Sequence, residues 1–174
     1  MKKLFLLLSL LYFSCLNPLF SATVIHAGLL INGESSFPTP EMSIVIEGSK
    51  IQAIETGYIT PDSEDDFIDL SGYTVLPGLM DMHVHLSSEY SKNSYQEKIS
   101  LNAGDYAIRA VSNAEKTLMA GFTSVRNLGD SGGVSISLRN AIKKGIVIGP
   151  RIFSSGTTIA VSYTHLTLPT IPLV

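Results

Sequence analysis

From Pro77 onward the chain alternates short apolar runs with amphipathic segments, and this rhythm constrains the fold more than any other feature of the sequence. The run PGLMDMHVHL (77–86) is followed by DYAIRAVSNAEKTLMAG (105–121), which has helical spacing and ends on a glycine typical of a helix C-cap. The later segments are a strand FTSVRNL (122–128), a helix SISLRNAIKK (135–144) and a strand PRIFSS (150–155). Strands that alternate with helices predict an α/β fold that begins βαβαβ, with a parallel sheet.

Residues 23–76 have a different texture, in which short alternating runs indicate β structure. Two such runs in MSIVIEGSKIQAIE (42–55) flank the turn Glu47–Lys50, and TVIHAGLLI (23–31) precedes them. We expect a small antiparallel, β-sandwich-type segment here. The acidic cluster Glu64–Asp66 lies in a polar stretch and is interpreted as a solvated loop rather than a cation site.

The first 22 residues have the pattern of a secretory signal peptide. Lys2 and Lys3 precede an apolar run, and FSA (20–22) provides a small-residue exit. We therefore expect export to the periplasm or the medium, and no stable membrane span after removal of the leader. An alternative is lipid attachment at Cys15, for which LYFSC (11–15) is a poor match.

Charge and cysteine content exclude several classes of function. The chain has 12 Lys and Arg against 15 Asp and Glu, and no basic run, which argues against nucleic acid as a partner. Cys15 is the only cysteine, so cleavage after Ala22 would leave neither a disulfide nor a thiolate metal ligand.

The strand 77–86 carries Asp81, His83 and His85 at alternate positions, so a regular strand would direct all three to one face. The Cα atoms of the two histidines would lie about 6.5 Å apart, and both rings could ligate one ion at roughly 2.0–2.1 Å. At the C-terminal end of a parallel-barrel strand, such a pair opens on the face where barrel active sites are built. The pattern predicts His83 and His85 as metal ligands.

Asp81 is interpreted as a side chain that orients a ligand or accepts a strand-end hydrogen bond. The alternative is two half-exposed histidines that hydrogen-bond at a strand end.

The run GYTVLPGLMDMHVHL (72–86) closely resembles the amidohydrolase superfamily of metal-dependent hydrolases, particularly its imidazolonepropionase-like and Xaa-Pro dipeptidase (prolidase)-like members. The resemblance covers most of residues 23–161, including AGFTSVRNLGD (120–130) and GPRIFSSGTTIAV (149–161). It implies a composite β segment followed by a TIM (β/α)8 barrel. It also implies that His83 and His85 are the first two ligands of a divalent metal, zinc, present as one or two ions. Asn127 stands where the family has an acid, with Asp130 nearby.

The resemblance further implies groups that this chain does not contain. These are a carboxylated lysine or glutamate, two more histidines, and an aspartate that binds metal and moves the proton. Three strands cannot close an eight-stranded barrel, so residues 77–161 are expected to be its first part, in an N-terminal fragment that is not a stable, active enzyme alone. The tail SYTHLTLPTIPLV (162–174) resembles the translation of a sequencing-library adapter; we expect it, with His165, to be foreign to the family.

These observations predict a hydrolase of carbon–nitrogen bonds that acts on a small amide such as a dipeptide or a cyclic amide, with homo-oligomerisation of the parent enzyme left open. One alternative is an exported, non-catalytic β protein that binds a metal or a partner through Asp81, His83 and His85. Another is the non-functional product of an incomplete gene. We expect His26 to have no catalytic role and Arg126 to be structural. We interpret GDSGG (129–133) as a βα loop rather than a serine-protease motif.

Overall fold

The structure is a computed structural model that describes residues 21–130 and 132–157. The predicted tail 162–174 lies outside the described residues, as do Cys15 and almost all of the predicted signal peptide. The chain divides between Pro77 and Gly78 into two compact units, each considered by itself below. Among the residues that the structure describes, no helix has both the length and the apolar character needed to cross a bilayer.

The first unit is a four-stranded sheet with the order β3-β2-β1-β4. Its strands are β1 (Thr23–Leu30), β2 (Thr39–Glu47), β3 (Lys50–Thr56) and β4 (Asp66–Val75). The β1–β2 and β2–β3 pairs are antiparallel, whereas β1 and β4 are parallel. The expectation of a purely antiparallel unit is therefore wrong. It failed because β4, which begins inside a polar acidic stretch, was not recognised as a strand.

Local sequence explains the β2–β3 hairpin and the core of this unit. Glu47 pairs with Lys50 across a two-residue turn, and Gly48 adopts a φ of 60°, which suits glycine. Alternation along β1 and β2 directs one set of apolar side chains inward. The buried members of this core are Ala27, Leu30, Met42 and Ile44, flanked by Ile25, Ile46 and Val75.

The parallel pairing of β4 with β1 contains a bulge. The register shifts between Ala27 and Leu29, and a Cβ on Gly28 would collide with the backbone carbonyl of Ser71. Glycine at position 28 therefore allows the two backbones to approach. Beside the bulge, the hydroxyl and the backbone N–H of Ser71 hold the pKa of Asp69 below its ordinary value.

His26 supports a loop in the first unit. Its ring stacks on Tyr58 with a centroid distance of 4.6 Å, and its Nε2 lies 2.8 Å from the carbonyl oxygen of Ile59. The buried hydroxyl of Ser43 holds the same loop by donating to the carbonyl oxygen of Gly57 and accepting from the N–H of Ile59. These contacts account for His26 in structural terms.

The second unit contains a three-stranded parallel sheet with the order β5-β6-β7, which confirms the predicted βαβαβ rhythm. Its elements are β5 (Leu79–Val84), α1 (Ser94–Ser100), α2 (Ala103–Met119), β6 (Phe122–Asn127), α3 (Val134–Lys143) and β7 (Arg151–Ser154). The short helix α1 was not predicted, since it has seven residues and none of them is buried.

Helix α2 begins at a capping box, in which the side chains of Asn102 and Asp105 each accept a hydrogen bond from the other's backbone N–H. It ends before Gly121, whose φ of 94° fits the predicted glycine stop. One face of the sheet packs on α2 and α3. The buried residues of this core are Leu86, Ala110, Ala114, Val125, Val134, Leu138 and Ile152. On the opposite face Met80 and Phe153 are exposed, at 69% and 59%.

Candidate metal centre

Strand β5 carries an irregularity just before its C-terminal end. Asp81 pairs with Val125 and Val84 pairs with Asn127, so β5 uses one residue more than β6 over this interval. Strict alternation is therefore lost. Asp81 helps to line a cavity beside α2 together with Asn113 and His85, whereas His83 does not line that cavity. The expectation that Asp81, His83 and His85 share one face is wrong for this reason.

Asp81 nevertheless contacts this segment. Its Oδ1 accepts a hydrogen bond of 2.9 Å from the backbone N–H of His83. The carboxylate thus fixes the backbone of the irregular segment, and it makes no hydrogen bond to an imidazole of any described residue. This bond is the contact expected of a strand-end hydrogen-bond acceptor, and the role of Asp81 at a metal stays a prediction.

The two histidine rings lie side by side at the end of β5. Their centroids are 5.5 Å apart, their planes meet at 66°, and both rings line a cavity of about 410 Å³. Two imidazoles that share one ion at metal–nitrogen distances of about 2.0–2.1 Å have centroids roughly 4.5–5.5 Å apart. The observed separation fits joint ligation of a single divalent ion by His83 and His85.

The ring of His85 has a defined hydrogen-bond partner. Its Nδ1 lies 2.9 Å from the carbonyl oxygen of Gly129, in the loop after β6. Because a carbonyl oxygen only accepts, Nδ1 carries the proton, and Nε2 of the neutral ring keeps its lone pair for a metal. The ring of His83 forms no hydrogen bond to any residue that the structure describes, so the two histidines are held unequally.

The residue after His85 is fixed by two buried amides. The Oδ1 of Asn127 accepts from the N–H of Leu86 at 2.9 Å, and the Nδ2 of Asn113 donates to the carbonyl oxygen of Leu86 at 2.9 Å. Asn127 is fully buried and Asn113 is 8% exposed. Sequence reasoning missed Asn113 and Gly129, since no local pattern links them to residues 27 and 44 positions earlier.

The side chain of Asp130 hydrogen-bonds to the start of α3. Its carboxylate accepts from the backbone N–H groups of Val134 and Ser135, at 2.9 and 3.0 Å, and its Oδ2 lies 3.4 Å from the Nδ2 of Asn127. Asn127 therefore stands where the resemblance implied an acid, but it acts as a link between β5 and the α3 loop. Ser131, the first serine of the GDSGG segment (129–133), lies outside the described residues.

Charged side chains around the histidine cavity are largely paired. Glu97 of α1 forms an ion pair of 2.7 Å with Arg109 of α2, and this hydrogen bond raises the pKa of Arg109 above its ordinary value. Glu89 lies 3.8 Å from Lys116. Arg126 donates through Nε to the carbonyl oxygen of Met82 at 2.7 Å, which agrees with its predicted structural role.

Two ligands do not complete a metal site. Within residues 21–130 and 132–157 there is no group of three or more His, Cys, Asp or Glu side chains placed to hold an ion. His83 and His85 could therefore form at most a half-site, and any further ligands would have to come from outside the part of the chain that the structure describes.

Comparisons with known proteins converge on one family. The sequence signature of the amidohydrolase family matches residues 74–169, more than half of the chain. The ochratoxinase of Aspergillus niger is 26% identical over 149 residues, which cover 82% of this chain and 30% of that protein.

Solved structures give the same picture. The chain resembles a Xaa-Pro dipeptidase crystallised with methionine bound in the active site, with 50% identity and a TM-score of 0.76 over 80% of this chain and 34% of the other. It also resembles a prolidase complexed with N-methylphosphonate-L-proline, with 32% identity and a TM-score of 0.67 over 78% and 32% of the two chains. The chain thus spans about a third of the length of these relatives.

Proposed function

The chain belongs to the amidohydrolase family, and on that premise we propose that it is part of a metal-dependent hydrolase of carbon–nitrogen bonds. In this proposal His83 and His85 hold a divalent metal, zinc, as one or two ions. The observation that carries it is the arrangement of the two rings, with centroids 5.5 Å apart and with Nδ1 of His85 tied to the carbonyl oxygen of Gly129. The alternative of two half-exposed histidines that hydrogen-bond at a strand end accounts for the bond of His85 to Gly129, but it gives no reason for the two rings to lie side by side.

The residues of the chain have separate tasks in this mechanism. His85 presents Nε2 because Gly129 engages its other nitrogen, and Asp81 holds the backbone from which His83 projects. A bound divalent metal would lower the pKa of a coordinated water strongly, toward neutrality, and would polarise a carbonyl. The cavity beside the rings, lined also by Tyr90, Lys98 and Tyr106, would receive the amide substrate.

We also propose that β5, β6 and β7 are the first three strands of a TIM (β/α)8 barrel. The pattern of burial supports this, since helices cover one face of the sheet while the other face exposes Met80 and Phe153, as an unfinished barrel interior would. The remaining ligands and the proton-moving aspartate would then lie on later strands, and the 174-residue chain alone would be inactive. Sequencing the source template across the codon for Val161 tests this, because an uninterrupted native frame ending at Val174 would contradict it.

The proposed substrate is a dipeptide or a related small amide. Its support is the resemblance to a Xaa-Pro dipeptidase at 50% identity and to a prolidase at 32% identity. A cyclic amide of the imidazolonepropionase type is the other substrate class, and the loops of later strands would decide between the two. We propose export through residues 1–22 and no nucleic-acid partner, in keeping with the leader-like start and the acidic balance of the chain.

The experiment uses the complete polypeptide encoded by the source reading frame, purified and loaded with zinc. We expect bound zinc and release of free amino acids from a panel of Xaa-Pro dipeptides. In the His83→Ala, His85→Ala double variant we expect both zinc and hydrolysis to be lost. The matched control is His26→Gln, which removes a histidine from the first unit but keeps a side-chain donor for the carbonyl oxygen of Ile59.

Two results would contradict the proposal. One is hydrolysis that survives in the double variant, since the half-site would then not be needed for the reaction. The other is a folded wild-type protein that binds zinc through His83 and His85 but hydrolyses no amide, because this would favour the exported, non-catalytic metal-binding protein.

A further inference from the structure

Leu86 is held at both of its backbone polar groups by side chains from other elements. Asn127, at the end of β6, accepts from its N–H, and Asn113, in the middle of α2, donates to its carbonyl oxygen. Both bonds measure 2.9 Å, and Leu86 itself is 4% exposed. Buried bonds of this kind are costly to break, because the stranded partner cannot turn to water.

The two hydrogen bonds hold the residue directly after His85. The chain leaves β5 at Val84 and turns, with the N–H of Ser88 donating to the carbonyl oxygen of His85. With Leu86 held from both sides, the Cα of His85 has little freedom. The bond from its Nδ1 to Gly129 then fixes the ring. The ring of His83 has no comparable support among the described residues.

We propose that Asn113 and Asn127 are positioning residues that hold His85 in place for metal binding before any metal arrives. This inference rests on the proposed function only for the identity of the ligand. The two amides act through Leu86 and do not touch the ion. Their role differs from simple core packing, because it predicts a loss of metal affinity that is separate from a loss of stability.

The first measurement uses the metal-free polypeptide of the source reading frame, labelled with ¹⁵N-histidine. At a pH where the imidazoles are neutral, we expect His85 to show a single tautomer protonated at Nδ1 and His83 to show an exchanging mixture. In Asn113→Leu and, independently, in Asn127→Leu, we expect His85 to show the mixture as well. A wild-type His85 without a fixed tautomer would overturn the inference without any reference to metal.

The second measurement is zinc affinity, determined by competition with a chromophoric chelator, alongside the melting temperature. We expect each asparagine variant to bind zinc about tenfold or more weakly, the usual effect of removing groups that orient a ligand. The control is Ser135→Ala, which removes a buried hydroxyl 2.7 Å from the Oγ of Ser154 in the same unit. We expect it to lower the melting temperature but not zinc affinity.

The outcomes separate this inference from the function on which it rests. Wild-type protein that binds no zinc would count against the proposed function, while the tautomer measurement would still decide the role of the asparagines. Zinc bound equally by the wild type and by both asparagine variants would overturn the inference alone. An equal loss in Ser135→Ala would also overturn it, since general destabilisation would then explain the effect. If one asparagine variant fails to fold, the other decides.

Discussion

The Nδ1 of His85 lies 2.9 Å from the carbonyl oxygen of Gly129, a residue 44 positions later in the chain. This bond joins the end of β5 to the loop after β6 and selects the tautomer that leaves Nε2 without a proton, as the proposed ligation of a metal requires. Gly129 has a φ of 132°, a backbone conformation that other residues rarely adopt. A backbone conformation and a ligand orientation are therefore coupled.

The first prediction concerns this coupling. Gly129→Ala should force the loop to a different φ, move the carbonyl away from His85 and weaken zinc binding about tenfold. The control is Gly145→Ala, at a φ of 68° after α3, which should cost roughly 1–2 kcal/mol of stability and leave zinc affinity unchanged. Chelator competition on both variants checks the prediction, and equal affinities for zinc would contradict it.

The second prediction concerns the bulge in the first unit. In Gly28→Ala the new methyl group would meet the backbone carbonyl of Ser71, so we expect a loss of about 1–3 kcal/mol. Gly72→Ala, one residue beyond Ser71, has nothing within 4 Å of the added Cβ and should be close to neutral. Amide exchange in β1 and β4 measures the local effect. The idea fails if both variants exchange like the wild type.

The third prediction is a pH dependence. The lowered pKa of Asp69, due first to the hydroxyl of Ser71, stabilises the fold above the unfolded-state pKa, and this contribution is lost as the pH falls through the folded-state pKa. Ser71→Ala should therefore destabilise the first unit near neutral pH and differ less from the wild type at about pH 3. Ser35→Ala breaks a bond to the carbonyl oxygen of Phe37, so its effect should not depend on pH. Urea unfolding at the two pH values tests this; a Ser71→Ala effect that stays constant would contradict it.

The fourth prediction concerns the ion pair between α1 and α2. Glu97→Gln should loosen α1, which buries no side chain of its own, and faster amide exchange in Ser94–Ser100 should report it. The difference from the wild type should shrink in about 1 M salt, where such pairs are screened. Lys116→Gln, which breaks a longer and more exposed contact, should leave exchange in α1 unchanged. Wild-type exchange in α1 that does not become faster in high salt would argue against an ionic tether.

The apolar periodicity of the sequence predicted the helices and strands that bury one face against a single core. Helices α2 and α3 and strands β6 and β7 all lie within two or three residues of their predicted bounds, because apolar spacing and glycine stops are local signals. Strand β4 was missed because it pairs in parallel with β1 across a bulge, and because its first residue, Asp66, is the last of an acidic stretch. The pairing partner, and not the local sequence, decides its conformation.

The candidate site likewise has residues that the sequence predicted and residues that it did not. The spacing of His83 and His85 was enough to predict a ligand pair, and the structure brings their rings together. The facing of Asp81 was predicted wrongly because a bulge depends on register with the neighbouring strand, which one sequence does not reveal. Asn113, Asn127 and Gly129 contact this segment through the tertiary fold alone. Their roles could not be read from local patterns.

Because 44 residues separate His85 from Gly129, the bond between them can form only after a long further stretch of chain has been synthesised. When His85 is added to the growing chain, neither Asn113 nor the loop that carries Gly129 has yet been made. The ring of His85 therefore acquires its fixed orientation only after the second strand of the sheet and the loop that follows it have been added. Under the proposed export, a chain that stays unfolded until it crosses the membrane would meet the proposed metal on the far side, and folding there would set the geometry of the two histidines.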